Sequence, residues 1–130
     1  MNIPRDHQYV MPYLILNNAR QFIYFTQKVF DAKLISEHLR EDQETIMHAE
    51  IQISGSTIMF AEATEQFKKQ NAHLFAYVEN TDNSFKTATD NGATIVMEPS
   101  NQGYGRSCGV ADPTGNVWWI TSVNNFSSSN

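Results

Sequence analysis

The stretch Asp31-Ala32-Lys33-Leu34-Ile35 returns 61 residues later as Gly92-Ala93-Thr94-Ile95-Val96. Gly55, with Ile58-Met59-Phe60 after it, returns at an offset of 60 as Gly115 with Trp118-Trp119-Ile120. Two matches in the same order at nearly one period mark an internal repeat. In the first copy an apolar run over residues 10–16 ends at Asn17-Asn18, a helix-capping pair. Ala19, Phe22, Ile23, Val29 and Phe30 then share one face of a helix over 19–30. Residues 33–39 form a strand and 40–45 a polar turn. Met47, Ala49, Ile51 and Ile53 alternate with His48, Glu50 and Gln52, the period of a strand. Ser54-Gly55 turns the chain into a returning strand over 57–61.

The second copy keeps the order. Residues 73–78 are a strand, and Asn80, Thr81 and Asp82 cap a helix that runs to Asn91. Gly92 sits where a helix C-terminus takes glycine. Residues 94–97 form a strand stopped by Pro99. A loop with Gly103 and Gly105 leads to strand 107–111, the turn Asp112-Pro113-Thr114-Gly115 and a last strand over 117–123. The expected fold is α+β, two βαβββ modules (about 9–63 and about 72–124) packed as curled mixed sheets enclosing a cleft. One such unit cannot cover its own sheet, so the two make a single domain. Residues 125–130 are expected to be a flexible tail.

Composition narrows the function. The chain has 130 residues and 41% hydrophobic content, which suits one globular domain. No apolar run is long enough to span a membrane, and the N-terminus lacks the apolar core of a signal peptide. Its formal charge of −5 argues against nucleic acid, which needs a concentrated basic surface. The one cysteine, Cys108, excludes a disulfide within the chain and a Cys-rich zinc site, and points to a reducing cytoplasm. With no Lys or His beside it, Cys108 reads as a buried core residue. His7 reads as solvated in a polar N-terminal arm. His48-Ala49-Glu50 has the H-x-E form of nucleotide deaminases but lacks the C-x-x-C that would complete such a site.

Met11-Pro12-Tyr13-Leu14, Phe25-Thr26-Gln27-Lys28-Val29-Phe30, His48-Ala49-Glu50 and Asp112-Pro113-Thr114-Gly115-Asn116-Val117-Trp118 occur in that order. Together they resemble the glyoxalase/bleomycin-resistance/dioxygenase (vicinal oxygen chelate) superfamily, in its PhnB-like branch, over about residues 9–123. The resemblance implies a cleft that in enzymes holds a divalent metal, with one ligand from the first and one from the last strand of each module. Those slots fall here at Met11 or Pro12, at Met59, at His73 and at Trp119. Only His73 suits a hard or borderline cation. The expectation is therefore a metal-independent protein without a cofactor that binds an antibiotic or metabolite. The alternative is a lyase, isomerase or dioxygenase with one divalent ion on a shifted set of His48, Glu50 and His73. A third reading leaves His48 or Glu50 as a catalytic base without metal. The resemblance also implies a homodimer whose clefts combine modules of two chains. Tyr9 and Phe126, aromatic and near the termini, agree with that.

From the slots, alternation turns Phe75 and Tyr77 into the cleft with His73, and Trp119 with them, while Trp118 packs on the helices. In the first module Pro12, Leu14, Leu16, Met59 and Ala61 are expected to face inward. Apolar walls with scattered polar groups suit a small-molecule ligand. The loop over 101–106 is the candidate lid. From it Tyr104 would reach over the ligand, and Arg106 would either fork onto an anionic group or pair with a surface acid.

Overall fold

Asp112 organises the turn between the last two strands, because its carboxylate accepts from the Thr114 and Asn116 backbone amides at 2.8 and 3.1 Å. The same carboxylate accepts from the Trp118 indole N–H at 2.8 Å, which fixes that ring in the core. The structure is a computed structural model, and it describes residues 1–123. The tail expected over 125–130, and Phe126 with it, lie outside the described residues.

The elements run β1 (Tyr13–Leu16), α1 (Ala19–Phe30), β2 (Lys33–Leu39), β3 (Ile46–Ile53), β4 (Ser56–Glu62), β5 (His73–Tyr77), α2 (Thr81–Asp90), β6 (Thr94–Gln102), β7 (Gly105–Ala111) and β8 (Val117–Ser122). The first sheet has the order β1-β4-β3-β2 and the second the order β5-β8-β7-β6. In each, the first and last strands of the module pair in parallel and the others antiparallel. The repeat read from sequence is thus a repeat of topology, and the α+β fold of two βαβββ modules stands. The two sheets are curled and not closed.

The modules meet through their helix sides. Phe22, Phe25, Val29 and Phe30 of α1 are buried, and Trp118 of β8 lies against Phe22 and Phe30, with ring centroids 6.3 and 4.5 Å apart. One core therefore joins both modules, as neither could bury its apolar face alone. Cys108 sits within it, fully buried. Burial pushes its thiol up to about 11.

Three local details depart from the sequence reading. Asn18 adopts a left-handed conformation and its side chain caps nothing. The Glu62 carboxylate, at the end of β4, instead accepts from the Asn18 and Ala19 amides at 2.8 Å each, a charge placed where the helix dipole favours it. The first strand starts at Tyr13 rather than residue 10. Ahead of it the Gln8 side chain bonds the backbone N–H and C=O of Thr57 in place of a strand. Pro99 does not stop β6: this is an edge strand, and its pairing register shifts between Met97 and Ser100, where a missing N–H costs no ladder bond.

Candidate functional site

The side of each sheet away from the helices is open, and the two open faces differ in chemistry. On the second sheet Trp119 lies flat over Gly109, its ladder partner. A Cβ at Gly109 would come within 2.6 Å of the ring, so only glycine lets the indole rest there. The Trp119 indole N–H donates to His73 Nδ1 at 3.1 Å, and the two rings are nearly parallel with centroids 6.1 Å apart. Phe75 meets Tyr77 edge-on at 5.1 Å and Tyr104 at 6.5 Å. Phe75, Tyr77 and Tyr104 are 51, 66 and 56% exposed, an uncovered aromatic surface.

The first sheet presents a polar chain at the matching place. Glu50 is buried on β3 beside Met59 of β4 and accepts from two imidazoles, His48 Nε2 and His7 Nε2, each at 2.8 Å. Burial pushes the Glu50 carboxyl upward. The hydrogen bonds from His48 and then His7 more than reverse this, so it lies below the ordinary carboxylate value. His48 Nδ1 is 3.1 Å from the Tyr13 hydroxyl. Tyr13, Ile15, Arg40, Met47, Ala61, Glu62 and Phe67 help to line a cavity of about 780 Å³ on this side. All of its lining comes from residues 13–67, and none from the aromatic face of the second module.

The structure brings His48 and Glu50 together and sets Met59 beside them. It groups His73 with Trp119, and Phe75 with Tyr77 and Tyr104. It does not bring His73 to His48 and Glu50: these stand on different sheets of the chain. Leu14 and Leu16, expected to face inward, are buried on the helix side. The register pairs Leu14 with the buried Phe60 and Tyr13 with Met59, so Tyr13 and Ile15 are the open-face residues of β1. The expected lid is mostly strand, since Gly103 and Tyr104 alone connect β6 to β7. Arg106 shares the helix-side parity of Cys108, and its fork lies on Asp82, Nε at 2.7 Å and Nη2 at 3.0 Å, with Nη1 on Asn101. His7 is not a solvated arm residue. The arm is tied down through Gln8 and through a bond from the Thr57 hydroxyl to the Asp6 carbonyl. No local pattern around His7 signals a partner 43 residues away.

Whether these groups fit a metal follows from their hydrogen bonds. An imidazole that accepts at Nδ1 carries its neutral-state proton on Nε2, which leaves His73 no lone pair for a cation while it holds Trp119. Both carboxylate oxygens of Glu50 already accept from histidine. Among the described residues no group of three or more His, Cys, Asp or Glu is placed to hold a metal ion. His73 Nδ1 and both Glu50 oxygens are thus engaged by hydrogen bonds within the chain.

The paired modules and their open curled sheets define a class of fold, and the sequence agrees with it. Residues 8–120 match the Glyoxalase/Bleomycin resistance protein/Dioxygenase superfamily, and the chain belongs to that superfamily. Among solved structures it is similar to TioX from Micromonospora sp. ML1, at 21% identity and a TM-score of 0.70, covering 88% of this chain and 95% of that one. It is similar to the PhnB protein from Bacillus cereus at 17% identity and a TM-score of 0.69, covering 89 and 100%. It is also similar to the fosfomycin resistance protein FosX from Listeria monocytogenes, at 18% identity and a TM-score of 0.70, covering 88 and 91%. At such identities the likeness is one of fold. No curated protein matches the chain. No helix among the described residues is long and apolar enough to cross a membrane.

Proposed function

We propose that this protein binds a planar, largely apolar small molecule without a metal, in a cleft completed by a second copy of the chain. The observation that carries this is the uncovered aromatic surface of Phe75, Tyr77 and Tyr104 beside Trp119, which is seated on Gly109. Such a surface recognises flat rings by stacking and cations by their attraction to the ring faces. The cavity on the first module lacks a wall from the second, so the aromatic face of a partner is its natural complement. Cytoplasmic antibiotics or metabolites of this shape are the ligands to try first. The superfamily's name includes bleomycin resistance, and FosX is a fosfomycin resistance protein.

The test is a thermal-shift series with planar aromatic and cationic compounds on metal-stripped protein, alongside Trp119→Ala. A true ligand raises the Tm by mass action. The shift should persist in chelator and vanish in Trp119→Ala. Stabilisation that appears only with added divalent metal would favour the lyase, isomerase or dioxygenase reading instead. Sedimentation should give twice 14.8 kDa at micromolar concentration, and a monomer of 14.8 kDa would remove the shared cleft.

A further inference from the structure

The binding reading leaves the hydrogen-bonded chain on the first sheet unused. Its order is phenol, imidazole, carboxylate: Tyr13 to His48 at 3.1 Å, then His48 to Glu50 at 2.8 Å. His7 holds the other Glu50 oxygen at 2.8 Å. With His48 donating from Nε2, its lone pair is at Nδ1, so the Tyr13 hydroxyl is the donor to it. A proton-bearing group held by a base, which a third group orients, is the general design of acid–base and nucleophilic sites. The buried end of the chain is Glu50, and the other end, Tyr13, is half exposed and lines the 780 Å³ cavity. Ile15, Met47, Ala61 and Phe67 form the apolar part of that lining and Arg40 its one basic residue, while of its two acids Glu62 is engaged by the α1 amides and Glu65 stands in the segment after β4. One Arg40 nitrogen donates to the Glu62 carbonyl. A guanidinium at an apolar cavity suits a carboxylate. A phenol–imidazole pair without a metal moves protons and little else. Beside a carboxylate, the carbon whose proton is most readily moved is the one next to a carbonyl.

We propose that Tyr13, His48 and Glu50 form a metal-free proton-transfer site for apolar-bodied carboxylic acids bearing an enolisable carbonyl, with Arg40 holding the carboxylate. This rests on the reading of the face as one wall of a ligand cleft, and adds a reaction to it. The Tyr13 proton passes to His48 Nδ1, and the Glu50 carboxylate supports the imidazolium. The tyrosinate oxygen then takes the proton from the substrate's α-carbon. That C–H bond breaks, its electron pair forms the enolate, and Tyr13 is again a phenol. Return of a proton from Tyr13 to the carbon, after exchange with solvent, restores the keto acid, and the tyrosinate left behind takes back the Nδ1 proton, so that Tyr13 is a phenol and His48 neutral again. Tyr13 and Arg40 touch substrate, whereas Glu50 and His7 are positioning residues.

The experiment follows deuterium uptake at the α-carbon of phenylpyruvate in heavy water by proton NMR, on metal-stripped full-length protein against buffer alone. Wild type should accelerate uptake at least about 100-fold, the scale of one acid–base group. Tyr13→Phe should return the rate to that of buffer. Glu50→Gln should lower the saturated rate about tenfold or more with the half-saturating concentration unchanged, at a folded fraction matched to wild type by its denaturation midpoint, so that a loss of folded protein is not read as lost catalysis. Arg40→Gln should do the reverse. Uptake at the buffer rate in wild type, or an unchanged rate in Tyr13→Phe, overturns the proposal. Phenylpyruvate binding is read in parallel by thermal shift. Binding without exchange sinks the proton-transfer site and leaves the cleft standing, whereas failure of every planar compound to bind sinks the cleft.

Discussion

Glu50 and Gly109 occupy the same place in the two modules. Each pairs across the sheet with a residue one turn-length into the last strand, Met59 for one and Trp119 for the other. In the first module that place holds a carboxylate between two histidines. In the second it holds no side chain at all, and an indole covers it. Tyr13 and Phe75 are matched in the same way, as ladder partners of Met59 and Trp119. The helix sides of the modules are alike in kind, apolar and buried. A duplicated frame thus keeps its core chemistry in both copies while its open faces diverge, one toward proton-bearing groups and the other toward aromatic surface. Packing in a shared core constrains the first side, whereas on the second the constraints are local to each module, as at Gly109 beneath Trp119.

The largest effect should come from the side the modules share. Trp118→Ala removes a ring held by Phe22, Phe30 and Asp112, and should cost about 3–5 kcal/mol, read as a drop in the urea midpoint. Ile58→Ala, near the matching place in β4, should cost about 2–5 kcal/mol. A Trp118 variant with wild-type stability would mean that the modules do not share a core.

Next is the divergence itself. In Gly109→Ala the new methyl meets Trp119 at 2.6 Å, so the indole must lift. A cost of about 1–3 kcal/mol is expected, together with altered Trp119 fluorescence and loss of planar-ligand binding. Glu50→Ala at the matched place leaves His7 and His48 without their acceptor, at about 1–3 kcal/mol, and should leave the indole signal alone. Equal fluorescence changes in both variants would erase the contrast between the faces.

Acid sharpens the same contrast. The Glu50 carboxyl lies below its ordinary 4.5 in the folded chain. A depressed value contributes stability above the unfolded value, and that contribution fades as pH falls through the folded one. Wild type should therefore lose stability faster than Glu50→Gln below about pH 4.5, by about 1 kcal/mol or less. Parallel pH curves for the two proteins would show that the histidines do not support the carboxylate.

How much of this was legible in the chain follows from the range of the interactions. The repeat, the strand order within each module and the burial of Trp118 rest on period and local turn chemistry, which one sequence carries. Trp119 on the open face follows from its neighbour's burial. The faces of β1 lie one residue out of phase with the sequence expectation, because Leu14 and Leu16 are apolar on a strand whose open side also bears Tyr13 and Ile15. Alternation cannot set the phase when both sides are apolar. The roles of His7 and Glu62 are not legible in sequence, because their partners, Glu50 and the α1 amides, are brought near only by folding; for the same reason the sequence allows Arg106 a surface acid but does not single out Asp82. Gly109 gave no signal: it occupies no turn, and its role is to leave room for a ring ten residues on.

The smallest stability effect should be that of Tyr13→Phe, which makes β1 match Phe75 of β5 at this one place. The hydroxyl lost belongs to a half-exposed side chain and bonds the outer nitrogen of His48, so water replaces it at about 0.5 kcal/mol or less. Chemical denaturation should hardly separate the variant from wild type. That small cost gives the substitution its value. A large functional loss with an intact fold locates function in the oxygen atom, whereas a large stability loss would mean that Tyr13 holds His48 and Glu50 in place structurally. The reciprocal Phe75→Tyr adds a hydroxyl to a face with no imidazole–carboxylate pair behind it. It should be as mild in stability, and it should confer no proton transfer, because the phenol acts only where His48 and Glu50 stand beneath it.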